Sequence, residues 1–271
     1  MITIHQLRER YGEWAVVTDA SSGIGLMFVK KLAAAGMNPV IAARRIGLLD
    51  DLRERLTSEY GAQVRCLQVD LSQDDFLKRW IEVCGDIEVG MLINNAGSGV
   101  PGLFSQSDIE LEKGLIRLNC IAPVEISHHF LPRMLARRKG AIIFFSSLMG
   151  FQGVPYMANY SATKGYLLNF GESHHHECKD AGVDILVLAQ GAKETPGKYL
   201  YPVDYSKLPI TWMSAEEVVD AALKSINRKA FVIPGLRNHL TACLSGGLWS
   251  RGLVQGIMKR MARIALPLKE E

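Results

Sequence analysis

The sequence predicts an α/β fold, a doubly wound parallel sheet of about seven strands with helices on both faces. Three observations predict it. Short apolar runs alternate with longer amphipathic segments, the pattern of βαβ units. The first apolar run, residues 14–17, leads straight into the glycine turn TDASSGIG (18–25) and then into helical spacing, the strand–turn–helix of a dinucleotide phosphate loop. The length of 271 residues at 48% hydrophobic content suits a single α/β domain, which often runs to roughly 250 residues.

In chain order the strands fall near 14–18, 38–43, 64–69, 90–93, 141–146, 183–189 and 230–234. Helices fill the gaps at about 23–36, 46–59, 73–84, 108–137, 157–180 and 214–227. Residues 1–235 then form one catalytic domain. Proline-containing loops lie at 98–105 and 191–213; the second is long enough to act as a substrate lid. Residues 236–271 read as a helical extension, with apolar side chains between Arg237, Arg251, Lys259, Arg260 and Arg263. It suits a helical pair packed on the domain or on a second subunit. A basic amphipathic surface in weak contact with a membrane is the alternative.

Bulk composition excludes several classes. The net charge of +3, from 31 basic and 28 acidic residues, speaks against a nucleic-acid binder. Five scattered cysteines without CxxC spacing suit a reducing, cytoplasmic setting. The opening MITIHQLRERYGEW lacks the apolar core of a secretion signal, and no window approaches the ~20 apolar residues of a membrane span.

The phosphate loop places Gly23 and Gly25 at a helix start, where backbone N–H groups and partial positive charge meet a pyrophosphate. Thr18 precedes the turn, Ser21 and Ser22 can cap the helix or donate to phosphate, and Ile24 lies between the glycines. The second strand ends VIAARR. An acid at its end would suit a free 2′-hydroxyl; here Ala43 holds that place, followed by Arg44 and Arg45, whose guanidinium groups suit a 2′-phosphate and so NADP(H) over NAD(H). Asp70, with Leu71 beside it, ends the third strand where a carboxylate meets an adenine amino group or caps the next helix. The fourth strand ends LINNAG (92–97). Asn94 and Asn95 can lock neighbouring loops, while Ala96 and Gly97 are small enough for a cofactor ribose.

SSLMGFQGVPYMANYSATK (146–164) carries the chemistry. Tyr160 and Lys164 are four apart on a predicted helix and share one face. An ammonium there favours the phenolate, which suits the pair to move a proton at a carbonyl or alcohol oxygen. Ser147 ends the fifth strand and can hold that oxygen. Asn119, on the preceding helix, can hold a relay water. Met149, Phe151 and Tyr156 lie between Ser147 and Tyr160 as an apolar pocket wall. With Leu200, Tyr201 and Trp212 in the lid they suggest a fairly hydrophobic ketone or alcohol.

In this order the residues identify the chain as similar to the short-chain dehydrogenases/reductases, single-domain Rossmann oxidoreductases. The resemblance covers about residues 12–235. It implies hydride transfer at a nicotinamide C4, with Tyr160 as acid–base, Lys164 on the nicotinamide ribose and Ser147 orienting the substrate carbonyl. It also implies a homodimer or homotetramer through the helices around 108–137 and 157–180. Gly191 and Thr195 keep family places around the carboxamide, with Lys193 between them where an apolar residue is common. Two departures matter. Asp19 stands where the loop usually has its first glycine; Asp tolerates positive φ, but its charge opposes a pyrophosphate. Gln190 replaces a proline before Gly191. These departures motivate the alternative of a non-catalytic binding or regulatory protein of the same fold. The set Asn119, Ser147, Tyr160 and Lys164 argues for the enzyme, and no further acid–base pair supports an epimerase or dehydratase. The histidines at 128–129 and 174–176 point in different directions around their helices, so no metal is expected.

Overall fold

The computed structural model describes residues 6–191, 204, 212–243 and 250–265. Seven parallel strands form one sheet: β1 (Trp14–Thr18), β2 (Asn38–Ala43), β3 (Arg65–Gln68), β4 (Val89–Asn94), β5 (Gly140–Ser147), β6 (Val183–Gln190) and β7 (Phe231–Val232), in the order β3-β2-β1-β4-β5-β6-β7. The order reverses between β1 and β4. The crevice at the carboxyl ends of the strands on either side of such a switch is where open α/β sheets bind ligands.

Strands covered on both faces read as continuous apolar runs, and β2, β4 and β5 are buried throughout. Alternate side chains feed two cores. Ala15 and Val17 pack with Phe28 and Leu32 of α2 (Gly23–Ala34), Leu49, Leu52 and Leu56 of α3 (Ile46–Tyr60) and Val219 of α8 (Ala215–Ser225). Val16 packs on the other face with Trp80 of α4 (Phe76–Cys84), Phe130 of α6 (Ala122–Ala136) and Leu167 of α7 (Ala158–Cys178).

Four elements differ from the sequence reading. A short helix α1 (Leu7–Tyr11) precedes β1; its Leu7 and Tyr11 are buried, and Tyr11 donates to Asp184 on β6. Five residues are too few for a periodic signal, and the partner lies far along the chain. Helix α4 starts at Phe76 rather than 73, because Asp70 folds residues 70–73 into a turn, accepting from the Ser72 N–H and hydroxyl. The segment read as one helix over 108–137 is α5 (Ile109–Ile116), a π-helical turn at Arg117–Ile121, and α6. Strand β7 is only two residues long.

After β7 come α9 (Leu236–Cys243) and α10 (Arg251–Ala265). Val254 and Ala265 of α10 are buried, and Met258 packs beside Tyr160. Among the described residues no helix is long and apolar enough to cross a membrane.

Candidate active site

The loop after β1 takes the turn that its glycines require. Asp19 adopts φ 52° and Gly23 φ 57°, the left-handed region that Asp tolerates better than most residues. Asp19 is thus accommodated in the backbone. A β-carbon on Gly25 would lie 2.2 Å from the Asp19 carbonyl oxygen and 2.7 Å from Asn95 Nδ2, so close packing demands glycine there. Asn95 Nδ2 donates to the Thr18 and Asp19 carbonyls, and Thr18 Oγ1 accepts the Ala96 N–H at 2.9 Å. Thr18 therefore ties β1 to β4. Ser22 stands at the N-cap of α2 in extended geometry, yet its side chain makes no capping bond. Asn94 is buried and donates to Ser127.

Arg44 and Arg45 are exposed at the end of β2. Neither guanidinium forms an ion pair with a described residue. Ala43 beside them is 8% exposed. Asp70 spends one carboxylate oxygen on Ser72, and the N-cap of α4 is Asp75, so Asp70 holds the preceding turn and does not cap the next helix. Leu71 is buried in the core behind it.

The catalytic candidates come from β5, the π-turn and α7. Lys164 is 3% exposed. Its Nζ donates to the Phe145 carbonyl at 2.8 Å and lies 5.7 Å from the centre of the Tyr160 ring. The Ser146 hydroxyl donates to the Lys164 carbonyl at 2.7 Å, fixing α7 against β5. Ser147 Oγ accepts the Met149 N–H, which leaves the hydroxyl proton for donation. Tyr160 packs with Val100, Leu115, Val154 and Met157, and with Met149 and Met258. Burial pushes the nearby Cys120 thiol up to about 11, against the opposing pull of the Lys164 charge.

Asn119 is fully buried. Its Nδ2 donates to the Ser98 carbonyl and to Thr163 Oγ1, and its Oδ1 accepts the Ser98 N–H. Both N–H groups are thereby used, so the side chain holds the β4 loop and α7 together and has no donor left for a relay water. A π-turn inside a helix often marks a functional position.

Two expected wall residues have partners outside the Tyr160 cluster. Phe151 packs edge-on to Phe231, with Ile233 and Ala242. Tyr156 adopts φ 64°; its hydroxyl accepts from Arg263 Nε of α10 at 3.0 Å and its carbonyl from the Gly102 N–H. Trp212 is 42% exposed. Gly191 is close to α9, since a β-carbon there would lie 2.7 Å from Asn238 Nδ2. Gln190 pairs in register with Ser147, and its Oε1 is buried without a partner. Lys193, Thr195, Leu200 and Tyr201 lie outside the described residues. His175 is buried against the Ile185 carbonyl and His174 lies against that of Phe170; no group of three metal-ligating side chains gathers among the described residues.

The crevice fits a dinucleotide. A side chain on Gly97 would come within 3.1 Å of Lys164 Nζ and 3.3 Å of Asn119 Oδ1, so the missing side chain leaves room above the lysine. Asn95 Oδ1 is buried without a partner, and the amino end of α2 faces the same carboxyl edge of the sheet.

The family model for short chain dehydrogenases matches residues 13–199. The chain belongs to the short-chain dehydrogenases. A 7beta-hydroxysteroid dehydrogenase from Clostridium sardiniense is 29% identical over 232 residues, covering 86% of this chain and 89% of the relative. A very-long-chain 3-oxoacyl-CoA reductase from Neurospora crassa is 33% identical over 179 residues, 64% of this chain and 54% of that protein. Among solved structures, a short-chain dehydrogenase from Sphingobium yanoikuyae in complex with NADPH superposes with a TM-score of 0.76 at 31% identity, covering 91% of this chain and 95% of that one. A 7beta-hydroxysteroid dehydrogenase structure gives a TM-score of 0.86 at 27% identity, over 93% and 99% of the two chains. This short-chain dehydrogenase is accordingly an NAD(P)-linked oxidoreductase acting between CH–OH and C=O groups, and like its family it takes a small-molecule substrate.

Sequence reasoning missed several residues of this dehydrogenase's site. Thr163, Ser146 and Ser98 support the candidate catalytic set, and Met258 reaches it from α10. Thr163 lies three residues after Tyr160, a helical neighbour that spacing could have flagged. Ser146 and Ser98 adjoin Ser147 and Gly97, but their partners lie 18 and 21 residues along the chain, and Met258 meets the site from far along the chain with no local signal.

Proposed function

We propose that the chain is an NADP(H)-dependent reductase or dehydrogenase for a bulky, largely apolar ketone or alcohol. The observation that carries this reading is Tyr160, set in an apolar cluster with the buried Lys164 ammonium near its ring. The dinucleotide supplies or accepts the hydride. Tyr160 gives its phenolic proton to the carbonyl oxygen during reduction and takes it back during oxidation. Ser147 donates its hydroxyl proton to the same oxygen and orients it. Lys164, held by the Phe145 carbonyl, favours the phenolate and reaches the ribose over Gly97. Asn119 positions these groups. Thr18, Ser21, Ser22, Gly23, Ile24, Gly25, Asn95, Ala96 and Gly97 would hold the pyrophosphate and ribose of a bound dinucleotide, and Asp70, Leu71 and Gly191 would hold its adenine and carboxamide ends.

The unpaired Arg44 and Arg45 support a 2′-phosphate, and a similar structure is a complex with NADPH. Met149, Met157 and Met258 support an apolar substrate; relatives are named for a hydroxysteroid and a very-long-chain 3-oxoacyl-CoA, and a similar alcohol dehydrogenase from Comamonas testosteroni is specific for bulky-bulky ketones. Residues up to about 235 act as the catalytic unit, and α10 supplies a further wall. Exposed Ile116, Ile121 and Tyr166 near the long helices suit a homo-oligomer. Exposed Leu236, Leu240, Leu253 and Ile257, in a stretch (236–265) with five Lys or Arg and no Asp or Glu, suit weak contact with an anionic lipid surface.

The test is a fluorescence titration with NADPH and NADH on the native chain, Asp19→Gly and Arg44→Ala/Arg45→Ala, followed by ketone reduction by the native chain and Tyr160→Phe. The native chain binds NADPH more tightly than NADH, the double alanine variant loses NADPH affinity selectively, and Tyr160→Phe abolishes turnover. Binding by Asp19→Gly alone would favour a non-catalytic protein instead.

A further inference from the structure

Gln152 lies between Ser147 and Tyr160, on the segment joining β5 to α7. It is 6% exposed, yet neither Oε1 nor Nε2 has a hydrogen-bond partner among the described residues. Buried carboxamides are nearly always paired, because removing water from a polar group without replacing its bonds is unfavourable. Each exception calls for a reason.

The surroundings supply one. The backbone at Gln152 is extended, with φ −162° and ψ 164°, where the 3₁₀ turn of Leu148–Phe151 ends. Phe151 packs against Phe231 and Ile233, while Val154, two residues beyond Gln152, packs with Met157 and Tyr160. Helix α10 closes over this segment: Met258 joins the Tyr160 cluster, and Gln255 reaches Gly153. A buried carboxamide with both ends unclaimed among the described residues therefore sits on the segment that runs between this apolar cluster and the Phe151 contacts, eight residues before the reacting phenol. Few polar groups in an apolar pocket is the arrangement that fixes a ligand's orientation.

Resting on the oxidoreductase reading above, we propose that Gln152 is a specificity-determining residue that binds a second oxygen on the substrate, a hydroxyl carried by the same apolar skeleton as the reacting carbon. The chemistry selects the hydroxyl. A carboxamide offers N–H donors and a carbonyl acceptor side by side, and a hydroxyl is both donor and acceptor, so one hydroxyl can engage either end or both. A carboxylate could use only the N–H end and would face the Oε1 lone pairs. An alkyl group would leave the carboxamide unpaired, and sites built to pair a polar group reject analogues lacking it.

The experiment measures kcat/KM with NADPH for 2-decalone and a set of its ring-hydroxylated isomers, using the native chain and Gln152→Met. Methionine keeps the length of the side chain and removes its hydrogen-bonding groups. Thermal unfolding of both proteins is recorded without ligand and with each ketone. The native chain should prefer at least one hydroxylated isomer by on the order of tenfold, the size of one neutral hydrogen bond. Gln152→Met should lose that preference, keep its turnover of 2-decalone, and unfold at the same or a higher temperature. A preference that survives in Gln152→Met overturns the proposal. So does a lowered unfolding temperature without ligand, which would assign the carboxamide to a buried water or to the fold. Failure of the oxidoreductase reading shows differently, as no ketone turned over by either protein. The unfolding series then decides: stabilisation of the native chain by a hydroxylated ketone, absent from Gln152→Met, supports the proposal, and equal responses overturn it.

Discussion

Replacing Asn119 by alanine separates its two possible roles. The side chain is fully buried and makes three hydrogen bonds, two with the Ser98 backbone and one to Thr163 Oγ1. Truncation removes all three and strands the Ser98 N–H and carbonyl. At about 1 kcal/mol for each bond, the loss is about 3 kcal/mol of stability. For a chain of this size each kcal/mol moves Tm by about 2–4 °C, so the unfolding midpoint should fall by roughly 6–12 °C. Turnover should fall with it, because Thr163 is one helical turn from Tyr160, and Lys164 follows directly. The assay is thermal unfolding beside kcat and KM on Asn119→Ala and Asn119→Asp. The aspartate keeps the acceptor for the Ser98 N–H but, when ionised, loses both donors, so its midpoint should lie between the other two. An unchanged midpoint with a large loss of kcat would refute the argument and return Asn119 to a purely catalytic role.

The remaining predictions concern the thiols and the surface. Burial is the first cause that raises Cys84 to about 12 and Cys120 to about 11, so at pH 8 iodoacetamide should label exposed Cys243 well before either, as read by mass spectrometry of the native chain; early labelling of Cys84 would contradict the packing around it. Because these folded values lie above the unfolded value of about 8.5, the stability they contribute is intact below that pH and is lost as pH rises toward 11–12; Tm measured from pH 8 to 11 should fall, and by less in Cys84→Ala. Ile116→Glu with Ile121→Glu should reduce the particle mass measured by light scattering, and an unchanged mass would locate any self-association elsewhere.

The parallel sheet was legible because its strands are buried on both faces and so stand out as apolar runs; all seven were placed within two residues at each end. The glycine loop was legible for a similar reason, since only glycine fits against the Asp19 carbonyl at position 25. The Tyr160–Lys164 pair is a local fact of helical spacing. Features that join distant segments stayed hidden. Asn119 has the residue type expected of a relay, but only the fold brings Ser98 and Thr163 to its carboxamide and bends the helix into a π-turn. Phe151 looked like pocket wall by its distance from Ser147, and the geometry of one 3₁₀ turn sends it to Phe231 instead. Helix α1 and the contacts of α10 depend on partners more than 90 residues away in sequence, Asp184 and Tyr156 among them.

The sequence by itself thus determined the fold class, the order of the strands along the chain and the family, and it supplied the candidate acid–base pair, because each follows from local periodicity or a short spacing. Tertiary structure alone decided which buried polar groups are paired and which have no partner among the described residues. That distinction depends on three-dimensional neighbours, and it separates Asn119, whose bonds are spent on the fold, from Gln152, whose bonds are not.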